Sequence, residues 1–312
     1  MGKKNILYVF LHAPKCAGTT IAYHINNNFK KEEVISLYPR HGFYNIAKKK
    51  WEYLKINKED FTRQINDYLA SLTSSQKGKI KVIFGHAAFY GVHEFFDKEA
   101  RYFTFLRDPF DQIASLYKQR KRAVEIGKRI VRDEGCKLPV RIDSSRAEAE
   151  ISESGKILPF ESWVKKKCKN SNKMIEFLIE NNFLKANPNE KRIKEALDKF
   201  YFIGLNESFE EDSLFIYHKL GINLFFENQN VSRENFGVRK TPELKEWFLS
   251  NNVFDKKMYN YAKEINDKFK NRIKNFPEKI KHLKRRRAFF LPFTNRLGHI
   301  KGRLIRLRSL LW

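Results

Sequence analysis

The chain has 312 residues, 42% hydrophobic and 14% aromatic, which excludes a disordered chain and suits one large domain, alone or with an appendage. Its 62 Lys and Arg against 36 Asp and Glu give a net charge of +26, more of one sign than solubility needs, so a polyanionic partner is expected: nucleic acid, an anionic membrane surface, a sulfated or phosphorylated glycan, or a nucleotide with several phosphates. Cys16, Cys136 and Cys168 are odd in number and scattered, which points away from a disulfide framework or a zinc cluster and fits a reducing compartment.

The apolar run Ile6–Leu11 reads as a central parallel strand covered on both faces. It stops at His12-Ala13-Pro14, and a short loop carries Lys15, Cys16, Ala17 and Gly18. Thr19 and Thr20 then open a helix reaching about Phe29. A strand–loop–helix of this kind binds phosphate, because the first helical turn aims unpaired N–H groups and the positive end of the dipole outward. The threonine hydroxyls add donors, Lys15 adds a full charge, and Pro14 stiffens the loop. The order differs from a Walker A loop, in which Lys directly precedes Ser or Thr. An ordinary strand-to-helix turn with a surface lysine is the competing reading. The apolar stretch before the loop is too short for a signal peptide, and no window approaches ~18 apolar residues, so a cytoplasmic protein without a spanning segment is expected.

Val34–Leu37 reads as a short strand, and residues 43–56 and 60–75 as helices, the second with Phe61, Ile65, Tyr68, Leu69 and Leu72 on one face. Ile80–Phe84 is a buried strand ending in Gly85-His86. Ligands of open α/β sheets bind outside the carboxyl ends of strands, so His86 is placed for chemistry; a hydrogen-bonded histidine filling a strand end fits equally. His93 reads as a packing histidine. A further aromatic strand starts at Arg101 and ends at Arg107-Asp108. Asp108 suits an N-cap and Pro109 the first helical position. Ser115 shares a helix face with Asp108, Asp111 and Gln112. Arg107 could fork onto a phosphate with Ser115 donating its hydroxyl. The bland alternatives are an Arg107–Asp108 ion pair with a cap, and a serine packed under the sheet.

Residues 118–160 read as a long helix end followed by a mobile loop, a basic insert over about 126–160. Lys118, Arg120, Lys121, Arg122, Lys128, Arg129 and Arg132 fit either an anionic acceptor or a solvated face. Helices follow near 160–168, 172–184 and 189–199, then a strand over Phe200–Leu205. Asn206 caps a helix closed by Gly221, and Ile222–Phe226 reads as a last strand. Val231–Thr241 is a flexible basic loop whose Arg239 and Lys240 could close over an anion. Helices start at Pro242 and span 253–276. From Lys279 onward there is no acidic residue, and Leu297, Ile300, Leu304, Leu307, Leu310 and Leu311 recur at helical spacing before Trp312. This tail fits an anionic membrane surface, or packing on the body or another subunit. The run Arg285-Arg286-Arg287 is only a generic nucleic-acid pattern. The chain thus divides into a domain over 1–277 and a basic tail over 278–312.

Three pieces fit one family. HAPKCAGTT resembles the 5′-phosphosulfate loop of sulfotransferases that use 3′-phosphoadenosine 5′-phosphosulfate (PAPS), and FTFLRDPFDQIASLYKQRK resembles their 3′-phosphate segment. The closest look is to the carbohydrate branch typified by heparan sulfate and uronyl 2-O-sulfotransferases, where a strand ends in Gly-His as Gly85-His86 does. FIGLNESFEEDSLFIYHKLG and VRKTPEL also look like that branch, so the resemblance covers most of residues 5–270. It implies an α/β fold of P-loop type, three layers around a mainly parallel sheet, and sulfuryl transfer from PAPS to a glycan or glycolipid hydroxyl by in-line displacement. It implies Pro14, Lys15, Ala17, Gly18, Thr19 and Thr20 around the 5′-phosphate, with Lys15 stabilising charge on the bridging oxygen. Arg107 and Ser115 would hold the 3′-phosphate, Arg239 and Lys240 would close over the nucleotide, and His86 would be the base, a role that the unperturbed histidine pKa of about 6.5 suits. Neither a metal nor a nucleic-acid partner is expected, and His12 and Cys16 have no assigned role. A P-loop nucleotide kinase, which needs a magnesium ligand and a Walker loop, and a non-catalytic polyanion binder are the alternatives.

Overall fold

Five strands lie side by side in the computed structural model, which describes residues 5–38, 43–46, 50–52, 58–132, 144–227 and 234–310. They are β1 (Ile6–Leu11), β2 (Val34–Ser36), β3 (Val82–Gly85), β4 (Glu99–Leu106, apolar and buried only from Tyr102 onward save for the buried Thr104) and β5 (Phe202–Leu205). All run parallel, in the order β2-β3-β1-β4-β5. Parallel neighbours need long crossovers, and the helices that supply them cover both faces. Hence β1, β3 and β5 read as unbroken apolar runs, and Leu7, Val9, Phe10, Phe84 and Phe103 are fully buried, with Phe10 stacked on Phe103 at 4.9 Å.

β1 is the switch point of the sheet. The chain leaves it to build β2 and β3 on one side and then crosses to β4 on the other. Leu11 pairs with Gly85 and with Thr104, so β1 and β3 end level and β4 runs two residues further, to Leu106. The crevice where strand order reverses is the usual ligand position of such sheets. Helix α1 (Gly18–Asn28) follows β1, and α2 (Pro109–Arg132) follows β4. A second, smaller core lies above the sheet edge, where Phe110, Ile113 and Tyr117 of α2 meet Phe160, Trp163 and Phe248. α3 (Phe209–Leu220), α4 (Pro242–Asn251), α5 (Val253–Arg272) and α6 (Phe276–Leu310) complete the labelled helices.

Several local expectations are corrected. Residues 43–45 and 50–52 are paired antiparallel strands, not helix, with Tyr44 opposite Trp51. Aromatic residues favour the pleated surface over a helix. Ser144–Ile151 is a helix followed by a hairpin of Ser152–Glu153 with Lys156–Ile157, where a mobile loop was expected. Ala147 and Ile151 anchor it by burial in the second core. Residues 133–143, and the side chains of Lys128, Arg129 and Arg132, lie outside the described residues. Ser208, not Asn206, occupies the N-cap position of α3. Asp212 accepts from the Leu205 N–H (2.8 Å) and pairs with Lys270 (2.7 Å).

Residues 222–226 form no strand. Their backbone groups are satisfied by side chains of α1 instead. Asn28 Oδ1 accepts from the N–H groups of Asn223 (3.0 Å) and Leu224 (2.8 Å), and His24 Nε2 accepts from Phe226 N–H (2.9 Å). α6 begins inside the body, with Phe276, Ile280 and Leu283 buried in the main core, and it runs without interruption past residue 278. The side chains of Leu297, Ile300, Leu304, Leu307 and Leu310, and all of Leu311 and Trp312, lie outside the described residues. Among the described residues no helix is long and apolar enough to cross a membrane.

His24 makes this arrangement pH-dependent. Its Nδ1 sits 2.8 Å from the Thr20 carbonyl and so carries the proton, leaving Nε2 to accept. Burial pushes its pKa down from 6.5 to about 4. The unfolded chain therefore takes up this proton first, and stability falls as pH drops from about 6.5 to about 4, by at most ~3 kcal/mol. Urea unfolding of wild type and H24Q should show that the wild type alone loses this increment; equal slopes would remove His24 as its source.

Candidate active site

The loop after β1 turns sharply. Lys15 and Ala17 both take positive φ, 64° and 60°, and Ala17 is the N-cap of α1. The N–H groups of Gly18 and Thr19 open the helix, where no intrahelical carbonyl can receive them. A turn of this kind, ending on a helix N-terminus, makes a concave row of N–H donors suited to an anion. Thr19 is exposed, whereas Thr20 is buried. The loop is propped from α2: Gln112 Nε2 donates to the Pro14 carbonyl at 2.9 Å. Cys16 is buried beneath it, and burial pushes its thiol up to about 12, so it is no nucleophile.

His12 does much of the positioning. Its imidazole is buried and packs onto Gly18, where an added Cβ would fall 2.0 Å from His12 Cδ2. Its Nδ1 meets Tyr38 Oη at 2.6 Å, and its ring lies 4.1 Å from that of His86. Burial first, then His86 and Lys15, hold the His12 pKa well below the ordinary range, so the ring is neutral. Its carbonyl accepts from His86 Nδ1 at 2.7 Å. A carbonyl only accepts, so Nδ1 of His86 carries the hydrogen and a neutral ring has Nε2 as its basic atom. Gly85 allows this approach: its φ is +144°, and a Cβ there would lie 2.1 Å from the Leu37 carbonyl oxygen.

Cations gather on the other side of β1. Asp108 does not pair with Arg107. Its Oδ1 accepts from the N–H groups of Phe110 (3.0 Å) and Asp111 (3.2 Å), and its Oδ2 pairs with Lys245 at 2.8 Å. Among the described residues, Arg107 Nε is buried without a hydrogen-bond partner. Burial and then Arg107 lower the Lys15 pKa; burial, then Lys240, then Arg107 lower that of Lys118. Arg120 is matched by Glu150.

The fold thus brings Pro14, Lys15, Ala17, Gly18, Thr19, Thr20, His86 and Arg107 to the carboxyl ends of β1, β3 and β4. Ser115 is half-buried two turns into α2. Lys240 is held by Asp111 at 2.8 Å, and Arg239 is exposed on the neighbouring loop. The residues missed from sequence are His12, Tyr38 and Gln112. No local pattern marks them, because each acts on a partner 26 to 98 positions away. Among the described residues no group of three or more His, Cys, Asp or Glu could hold a metal.

G18A should displace the His12 ring. A stability loss of about 1–3 kcal/mol, measured by urea unfolding, is expected from overpacking at this contact. Wild-type stability would show that the ring has room to move.

The sequence of residues 2–278 matches the Sulfotransferase family. No curated protein matches the chain. Among solved structures, the crystal structure of a sulfotransferase from Alicyclobacillus acidocaldarius is 14% identical, with 84% of this chain and 96% of that one covered. The TM-score between the two is 0.35. The sequence match spans nearly the whole body above which Lys15, His86 and Arg107 converge, and the chain belongs to the sulfotransferase family.

Proposed function

We propose that the protein transfers the sulfuryl group of PAPS to a hydroxyl of a glycan or glycolipid, with His86 as the base. The observation that carries the donor assignment is the buried, unpartnered Nε of Arg107, with Lys15 and Lys118 crowded beside it while the nearby carboxylates of Asp108 and Asp111 are taken up by Lys245 and Lys240. A nucleotide with phosphate at both the 5′ and the 3′ positions fits two separate anion sites. The N-terminus of α1 with Lys15 suits the first, and Arg107 with Ser115 suits the second.

PAPS supplies a sulfuryl group already activated by its anhydride link to phosphate. The bond from sulfur to the acceptor oxygen forms as the bridging sulfur–oxygen bond breaks. His86 Nε2 takes the hydroxyl proton, and its orientation is set by the Nδ1 bond to the His12 carbonyl. Lys15 faces the negative charge that develops on the leaving oxygen. Positioning and charge stabilisation supply most of the catalysis, as in phosphoryl transfer.

Calorimetry with adenosine 3′,5′-bisphosphate should show tight binding to the wild type and binding about tenfold weaker or worse to R107A, the loss expected of a charge-assisted hydrogen bond. Unchanged affinity would remove Arg107 from the 3′-phosphate site, and no binding to the wild type would overturn the donor. With labelled PAPS and a panel of glycans, H86A should lose about 10²–10⁴ in turnover at unchanged bisphosphate affinity. Full turnover would refute the base. Transfer to no glycan, with bisphosphate bound, would overturn the acceptor class alone.

A further inference from the structure

The two sides of α6 differ sharply between Phe276 and Phe293. One side faces the body: Ile280 and Leu283 are buried, Lys284 reaches Glu211 (3.1 Å), Arg286 reaches Asn223 (2.7 Å) and Arg287 reaches Glu210 (3.0 Å). The other side carries Lys281, Arg285, Phe289 and Phe293, each four residues from the last and therefore in one stripe. All four are exposed. Phe289 is 68% and Phe293 59% accessible, with Phe290 beside them at 38%. Lys281 and Arg285 make no ion pair among the described residues. The backbone stays helical to Leu310, and the sequence there keeps apolar residues at 297, 300, 304 and 307.

We propose that the exposed face of α6 docks the protein on an anionic lipid surface, with Phe289 and Phe293 entering the headgroup region and Lys281 and Arg285 meeting lipid charge. Exposed large aromatics in water are costly and call for a cover. The chemistry of the surroundings selects which cover: from Lys279 to Trp312 there is no Asp or Glu. Cations next to an aromatic stripe are the composition of helices that lie in a membrane interface. A second copy is disfavoured, because each chain carries a net charge of +26 and the pairing would set basic helices against each other. None of Lys281, Arg285, Phe289 and Phe293 is assigned to the nucleotide or to the base, so the inference does not depend on the donor or the acceptor.

The test is co-sedimentation of the full chain with vesicles of phosphatidylcholine, and with vesicles in which part of it is replaced by phosphatidylglycerol. Binding to the anionic vesicles should be at least about tenfold stronger and should weaken as salt is raised. F289S/F293S should bind them about tenfold more weakly or worse while keeping the wild-type urea midpoint. R285E should lose part of the preference for anionic lipid. No binding, equal binding to both vesicles, or an unaffected F289S/F293S would overturn the proposal. So would sedimentation velocity showing a wild-type dimer that F289S/F293S dissociates, since a second copy would then be the cover.

Discussion

The ring of His12 occupies the space that a side chain at position 18 would need, and the arrangement above the sheet depends on that contact. It presses the start of α1 against the end of β1, so the loop between them has little freedom. The same residue reaches the next strand through its carbonyl, which holds His86 Nδ1. The backbone supports this from both sides. The Gly85 carbonyl accepts from His12 N–H at 3.1 Å, and Thr104 Oγ1 donates to the Leu11 carbonyl at 2.8 Å. One glycine without a side chain thereby couples the anion loop to the candidate base.

Electrostatics completes what packing begins. A cluster of cations is unfavourable by itself, and a protein normally relieves it with neighbouring carboxylates. Near the mouth of the sheet the carboxylates are committed elsewhere. Asp108 caps α2 and holds Lys245, Asp111 holds Lys240, and Glu150 holds Arg120. Lys15 and Arg107 are left to repel each other in a partly buried setting, which favours any ligand that brings negative charge to both. The second core matters for the same reason: Phe110, Tyr117 and Phe248 fix α2, and α2 carries both the Asp108 cap and the Gln112 prop.

Much of the sheet was legible in the chain. Ile6–Leu11 and Phe202–Leu205 are unbroken apolar runs because both faces of a parallel strand are covered, and that need is written locally. The strand-end positions of His86 and Arg107 were legible too, since each directly follows a strand, and Lys15 lies in the loop four residues after β1. The misreadings have a common origin. Residues 222–226 read as a strand, yet the backbone N–H groups of Asn223 and Phe226 donate to Asn28 and His24, 195 and 202 residues away. Residues 43–56 read as helix, while the pairing of Tyr44 with Trp51 decides for strand over 43–45 and 50–52. In both cases the partners the backbone finds in the fold outweighed local propensity.

The sequence by itself determined the order of the strands along the chain, the basic character, and the kinds of groups at the strand ends, because hydrophobic period and charge are properties of neighbours. Tertiary structure alone decided which ends stand together and in what electrical state. The register of Leu11 with Gly85 and Thr104 puts His86 and Arg107 on opposite sides of β1. Burial makes His12 neutral, and the pairing of Asp108 with Lys245 leaves Arg107 Nε unpaired. Such features depend on what surrounds a residue in space, and that surrounding exists only once the chain has folded.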